Sequence, residues 1–329
     1  MKLDTKLINI KKASQYPSSI LPRIPSSIFV FDALTGGGLP LWKFSIFHGS
    51  YSSGKTAVSL KIMGNFLRKY PDKYIAYIDF EDSFDKQWVS NFVDEKDMDR
   101  ILVVNPDFGE QGVDYTVELA KQDEVGFIFV DSLAEMIPTN DIDKSASDDT
   151  VGLQAKLINK LLRKLIPIVS IARKTERPLA CILINQERAK VGARVFGAQT
   201  QKAGGYFQEF VAGLDIRFYR KSKDEANETK ASKWIEIGFK IEKSKITGIL
   251  PYRSGAFRMS LLGNVGEVNN AKPVAIYGIK YGLIKKEGKY YSVGKDITTK
   301  DGVIEYFSTY PKEYFEVYDK LVEIISKGE

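Results

Sequence analysis

The chain has 329 residues, of which 43% are hydrophobic and 27% charged, with a formal net charge of +6. That is too long for one minimal domain, ample for a large domain plus a small one, and basic enough to permit a polyanionic partner without requiring it. A single cysteine, Cys181, rules out an intramolecular disulfide and points to a reducing, cytoplasmic compartment; no run of about 18 apolar residues and no signal-like start gives reason to expect a membrane.

In chain order, residues 1–23 mix charged and apolar positions and hold Pro17 and Pro22. A β-prone run, Phe44, Ser45, Ile46 and Phe47, then leads into Gly49, Ser50, Tyr51, Ser52, Ser53, Gly54, Lys55 and Thr56, and residues 57–70 carry apolar side chains at helical spacing. Gly-x-x-x-x-Gly-Lys-Thr between a strand and a helix is the pattern of a phosphate loop. Its glycines let the backbone fold around an anion, so that successive N–H groups and the helix N-terminus face it. Lys55 is then expected on the outer phosphates and Thr56 on Mg²⁺. The chain is expected to bind a nucleoside triphosphate.

From residue 44 to 218, short β-branched or aromatic runs alternate with helical patterns, the signature of an α/β domain with a mostly parallel sheet. Residues 74–79, 126–131 and 181–185 read as buried strands. Each ends in a polar residue, at the carboxyl edge where such sheets bind ligands. An acidic stretch at 140–150 precedes a helix from about Gly152, and residues 186–205 are too long and aperiodic for a plain connection. Residues 234–242 and 257–262 read as antiparallel edge strands. Beyond about 267 come Gly-punctuated pieces and a helix over 313–327, with Tyr314, Val317, Tyr318, Leu321, Ile324 and Ile325 on one side. The expected organisation is a short segment (1–23), a nucleotide-binding core (24–266) and a small C-terminal α/β domain (267–329).

Asp131, closing its strand, is the natural second ligand for the Mg²⁺ shell, with Ser132 after it. The strand end at 78–82 offers a base for the attacking water: Glu81 is preferred, with Asp79 and Asp82 as alternatives. In the helix over 152–165, Leu153, Leu157, Leu161, Leu162 and Leu165 form an apolar stripe, while Lys156, Lys160, Arg163 and Lys164 lie on the other side. A second basic loop holds Arg188, Lys190, Arg194 and Lys202. Together these can track a line of phosphates, although a solvated face has the same composition. Cys181 reads as core, and His48, the only histidine, as structural.

The order of these pieces resembles the RecA family of recombinases, bacterial and phage-encoded. The likeness is carried by Leu39-Pro40, the phosphate loop, Ile78-Asp79-Phe80-Glu81, Val130-Asp131-Ser132, Gly152-Leu153, Arg163-Lys164-Leu165, Ile184-Asn185-Gln186, Phe196-Gly197 and Gly204-Gly205. It implies a RecA-like P-loop NTPase core, with residues 1–23 as an oligomerisation segment. It also implies ATP and Mg²⁺ as cofactors and a DNA-dependent ATPase that forms helical filaments on single-stranded DNA and exchanges strands with homologous duplex DNA. Loader and single-strand-binding proteins are implied as further partners. By the same resemblance Glu81 activates water, Asp131 completes the Mg²⁺ site, Asp85 and Trp88 hold the adenine, and Gln186 senses the γ-phosphate. Lys243 and Lys245 reach the ATP of the neighbouring protomer, and Phe210 is an interface aromatic. Residues 140–150 and 187–203 correspond to the DNA-binding loops. Val151 and Val191 match the wedging apolar residues, and Lys156, Arg163, Arg188, Lys190, Gly204 and Gly205 match contacts to the DNA backbone.

Departures are the short, proline-bearing N-terminal segment, where Leu7 and Ile10 could anchor a neighbour, Trp88 in place of a tyrosine, and the acidic Glu187 beside the DNA loop. A hexameric helicase built on the same core and a recombination-mediator ATPase are the alternatives. The absence of an N-terminal helical hairpin pattern speaks against the first, and the retained Glu81, Lys243 and Lys245 against the second.

Overall fold

The structure, a computed structural model, describes Ser14 and residues 21–142, 151–189, 200–221, 233–293 and 296–327. Two short strands, β1 (Arg23–Ile24) and β2 (Leu39–Pro40), pair antiparallel on either side of helix α1 (Phe29–Leu34). Strand β3 (Phe44–Gly49) delivers the phosphate loop to α2 (Lys55–Lys69). Then follow β4 (Tyr74–Asp79), α3 (Lys86–Val89), β5 (Ile101–Val104), α4 (Gly109–Lys121), β6 (Val125–Asp131), α5 (Thr139–Ile142) and α6 (Val151–Lys174). The core closes with β7 (Ala180–Ala189), β8 (Thr200–Lys202), α7 (Phe207–Val211), β9 (Leu214–Arg220), β10 (Trp234–Ser244) and β11 (Ser254–Ser260). The C-terminal part consists of α8 (Ala271–Lys280), β12 (Lys285–Glu287), β13 (Tyr290–Val293), β14 (Asp296–Thr298), α9 (Lys300–Thr309) and α10 (Pro311–Lys327).

The main sheet runs β11-β10-β9-β3-β7-β6-β4-β5. Pairing is parallel from β9 to β5, while β10 and β11 are joined antiparallel at one edge, as the sequence pattern predicts. Alternation along the strands sorts the core onto two faces. Ile75, Tyr77, Phe127, Phe129, Ile182 and Ile184 pack with α2, whereas Ala76, Ile78, Ile128, Val130, Cys181 and Leu183 pack with α4 and α6. Cys181 is fully buried, and burial pushes its thiol up to about 12, so it is an inert core residue.

Two elements run further than their patterns suggest. Helix α6 continues past Leu165 through Pro167, because Ile168, Val169 and Ala172 keep the apolar stripe facing the sheet. That burial offsets the loss of one backbone hydrogen bond, on the order of 3 kcal/mol for an interior proline. Strand β7 continues past Asn185 to Ala189 because β8 returns antiparallel against it, pairing Glu187 with Lys202 and Ala189 with Thr200. The second basic loop therefore stands on a short ladder.

The change of pattern near residue 267 marks new architecture, a three-stranded antiparallel sheet of β12, β13 and β14 between helices. The apolar core nevertheless runs through it. Phe29 of α1 meets Tyr277 and Tyr318 edge-on, at 5.6 Å and 5.2 Å between centroids. The Tyr318 hydroxyl donates to buried Asp32 at 2.8 Å, whose other oxygen accepts from Ser26 N–H and Oγ. No helix among the described residues is long and apolar enough to cross a membrane.

Candidate active site

The phosphate loop, residues 49–56, spans the carboxyl end of β3 and the start of α2. Gly49 has φ +146°, and a Cβ there would lie 2.0 Å from the carbonyl oxygen of Phe218, because β9 pairs directly alongside. Only glycine fits that approach. Gly54, at φ +89°, is the N-cap of α2 and brings no side chain to the helix's first N–H groups, which leaves them available to an anion. Ser50, Tyr51, Ser52 and Ser53 form the arch, with Tyr51 exposed and Ser53 buried. The buried Lys55 ammonium donates to the carbonyls of Ser50 at 2.9 Å and Gly49 at 3.3 Å, and burial lowers its pKa against the raising fields of Asp131 and Glu81.

Thr56 Oγ1 donates to Asp131 Oδ2 at 3.0 Å, uniting the two expected Mg²⁺ ligands. Burial, then the charge of Glu81, raises the Asp131 carboxyl to about 7. A hydroxyl and carboxylates short of positive charge form an oxygen donor set that fits Mg²⁺. The three candidate bases divide by their partners. Asp79 is buried, and its carboxylate accepts from the backbone N–H of Glu81, Ser83 and Phe84, which fixes the turn. Asp82 accepts from Asn105 at 3.0 Å. Glu81 instead accepts from Gln186 Nε2 at 2.6 Å. Gln186 lies opposite Gly49 in the β3–β7 register, so one amide bridges the phosphate loop's edge to the carboxylate.

Asp85 Oδ1 caps α3 by accepting from Gln87 N–H at 2.8 Å and Trp88 N–H at 3.1 Å, and the half-buried Trp88 ring meets Phe92 edge-on. Lys243 and Lys245 donate to the carbonyls of Glu209 and Phe210 on α7. Within one chain, these lysines contact that helix rather than the phosphate loop.

The exposed basic face of α6 lines an open pocket of about 440 Å³ formed by Lys156, Asn159, Lys160, Arg163 and Lys164. Arg163 lies over the Phe207 ring at 5.2 Å, and Lys164 pairs with Asp114 at 2.8 Å. Gly204 packs so closely on α6 that a Cβ would meet Ile158 at 2.4 Å, while at Gly205 the nearest atom, on Ala155, is 3.8 Å away. Asn185 Nδ2 bonds the Ala203 carbonyl at 2.9 Å, tying the return of the second loop to β7. Lys190 and Val191, the side chains of Val151 and Arg188, and the segment holding Leu7 and Ile10 lie outside the described residues.

Two expectations are corrected. Lys202 does not join a phosphate-tracking row: its ammonium is 2.6 Å from Asp215 Oδ2 and 3.4 Å from Glu209 Oε1, mostly buried. Glu187 is not an open loop carboxylate: it is turned inward, where it accepts from His48 Nδ1 at 2.9 Å and Arg217 at 2.7 Å. Alternation turns Gln186 toward Glu81 and its neighbour toward β3 and β9. The site that sequence reading missed is therefore the one around His48, whose Nε2 lies 3.2 Å from both Asp215 Oδ1 and Glu242 Oε2. Its members are spread over four strands, so no spacing announces them.

A mostly parallel sheet with a phosphate loop after β3, a Thr–Asp pair beside that loop and a carboxylate held by a glutamine of the adjoining strand β7 define a RecA-like P-loop core. The RecA N-terminal domain family matches residues 11–263. The chain is 31% identical over 297 residues to Protein RecA of a Nitratiruptor species, covering 90% of this chain and 81% of that one. It is 32% identical over 269 residues to Protein RecA of Bacteroides thetaiotaomicron, covering 81% and 76%. With Protein RecA of Nautilia profundicola the identity is 26% over 323 residues, covering 96% and 87%. The chain belongs to the RecA family.

Proposed function

We propose that this protein is an ATP-dependent recombinase: a DNA-stimulated ATPase that assembles as a helical filament on single-stranded DNA, pairs it with homologous duplex and hydrolyses ATP between protomers. The observation that carries this reading is the 2.6 Å bond from Gln186 to Glu81. It joins the candidate water-activating carboxylate to the residue from which β7 runs into the second loop. A γ-phosphate would compete for the Gln186 amide, so nucleotide state and loop position share one side chain.

In this reading Lys55 and the arch at 49–54 hold the phosphates. Thr56 and Asp131 hold Mg²⁺, which when bound supplies charge neutralisation at the phosphates. Glu81 orients and deprotonates the attacking water, and Asp85 and Trp88 take the base. Lys243 and Lys245 act on the neighbouring protomer's nucleotide, which agrees with their contacts to α7 instead of their own phosphate loop. Phe210 is 67% exposed and Tyr206, one turn earlier, 75%, an aromatic surface that suits burial against a second copy. Lys156 and Arg163, with Gly204 and Gly205 at the loop's return, face the single strand; Arg188, Lys190, Val151 and Val191 are further candidates for binding it on the strength of the family resemblance.

ATP hydrolysis measured with and without oligo-dT tests the proposal. A strong rise with DNA is expected; a rate indifferent to DNA would overturn it, and closed rings by electron microscopy would favour a helicase.

A further inference from the structure

We propose that His48 is a positioning residue that couples the phosphate loop to the start of the second DNA-facing loop and to the strand bearing Lys243 and Lys245. Its DNA arm rests on the recombinase reading above.

The geometry is specific to the placement of three neighbours in sequence. His48 immediately precedes Gly49, Glu187 immediately follows Gln186, and Glu242 immediately precedes Lys243. One imidazole touches both acidic residues. Nδ1 meets Glu187 on β7 at 2.9 Å, and Nε2 lies between Asp215 on β9 and Glu242 on β10, 3.2 Å from each. The β9–β10 ladder is interrupted between Ile241 and Lys243, so Glu242 is the bulged residue, and a bulge re-aims a side chain that regular pleating would turn elsewhere. Arg217 holds the second oxygen of Glu187, and Lys202 that of Asp215, with Glu209 beyond it.

Three carboxylates, Glu187, Asp215 and Glu242, thus face Arg217, Lys202 and His48. With Glu209 beside Lys202, negative charge exceeds that of Arg217 and Lys202, and the excess around the imidazole favours its protonated form. Burial alone would lower its pKa; the contacts with Asp215, Glu187 and Glu242 outweigh that and raise it to about 10. The Nε2 N–H satisfies hydrogen-bond geometry to neither Asp215 Oδ1 nor Glu242 Oε2, so its contact with both strands is one of charge at 3.2 Å. Movement of Gln186 toward a γ-phosphate displaces Glu187 on the opposite face of β7. His48 transmits that displacement to β3 and, through Glu242, to the strand that presents the lysines to the next protomer.

The test uses the sole histidine as its own probe. In ring-¹⁵N-histidine protein at about pH 8, the signal is expected to be that of an imidazolium and to move on adding ATPγS with Mg²⁺, and again on adding oligo-dT. His48→Gln is expected to leave ATPγS affinity without DNA within about twofold, yet to raise the oligo-dT concentration for half-maximal hydrolysis about tenfold, within the usual span of coupling between sites. A purely structural residue would lower thermal stability and all activities in parallel, which would overturn the proposal. So would a variant coupled like the parent. If His48→Gln does not fold, the parent's spectrum decides: a ring signal unmoved by nucleotide refutes the coupling. Should the parent hydrolyse ATP without regard to DNA, the recombinase reading falls, and the response to ATPγS alone still decides the link between the phosphate loop and Glu187. His48, Asp215 and Glu242 offer atoms close enough to hold a metal ion. One ion per purified chain, with an Nε2 carrying no proton, would replace the imidazolium and overturn the proposal.

Discussion

Asp131→Asn should make the protein more stable and worse at its work. The carboxyl is buried beside Glu81, and burial followed by that charge raises it from 3.8 to about 7. A carboxyl whose folded pKa exceeds its unfolded value keeps its proton on folding between those limits. Stability falls as pH rises from about 4 to about 7 and stays reduced above. The gap corresponds to at most about 4 kcal/mol, at about 1.36 kcal/mol per tenfold in proton affinity. Asparagine keeps an acceptor for Thr56 and carries no charge, so it removes the full penalty above pH 7 and only a small part of it near pH 4. With about 2.1 cal/mol/K of unfolding entropy per residue over 329 residues, 1–4 kcal/mol becomes a rise in Tm of roughly 1–6 °C. The assay is differential scanning calorimetry of both proteins, without nucleotide, at about pH 4.5 and pH 8. The stabilisation should be several-fold larger at the higher pH, while Mg²⁺-dependent ATPγS affinity drops at least about tenfold. Equal Tm differences at both pH values would refute the argument that burial and Glu81 strain this carboxylate.

Gln186→Ala should leave nucleotide affinity nearly unchanged and reduce the DNA stimulation of hydrolysis by about 10-fold to 100-fold, the loss of one hydrogen bond to a charged group, about 1.5–3 kcal/mol; steady-state kinetics with oligo-dT titration checks it. Removing two phosphate contacts with Lys156→Ala and Arg163→Ala should weaken oligo-dT binding and flatten its log–log salt dependence by about 1.4, measured by fluorescence anisotropy over a salt series. Tyr318→Phe should cost about 1–3 kcal/mol by leaving Asp32 a partner short in the core, read from denaturant midpoints at pH 7.

Much of this was legible from the chain. Buried strands announce themselves as apolar runs, and a phosphate loop is contiguous because the backbone itself wraps the anion, so β3, α2, β4, β6 and the parallel sheet followed from local pattern. Glu81 could be preferred over Asp79 and Asp82, but only the structure shows why: Asp79 is consumed by three backbone donors in the turn. Composition misassigned Lys202 and Glu187, since a charged side chain in a basic loop looks solvent-facing until β8 pairs with β7 and turns both inward. The His48 cluster was invisible for the same reason. Its partners are separated by up to about two hundred residues and meet only because parallel pairing places β3 between β7 and β9.

The central claim is that each ATP site is completed by the next protomer, and mixing two inactive variants tests it most directly. Glu81→Gln lacks its own catalytic carboxylate, while Lys243→Ala with Lys245→Ala lacks what it lends its neighbour. Mixed in equal amounts on oligo-dT, random assembly pairs an intact carboxylate with intact lysines at about a quarter of the interfaces, so about a quarter of the parent ATPase rate should return. A mixture no more active than either variant alone would contradict the claim.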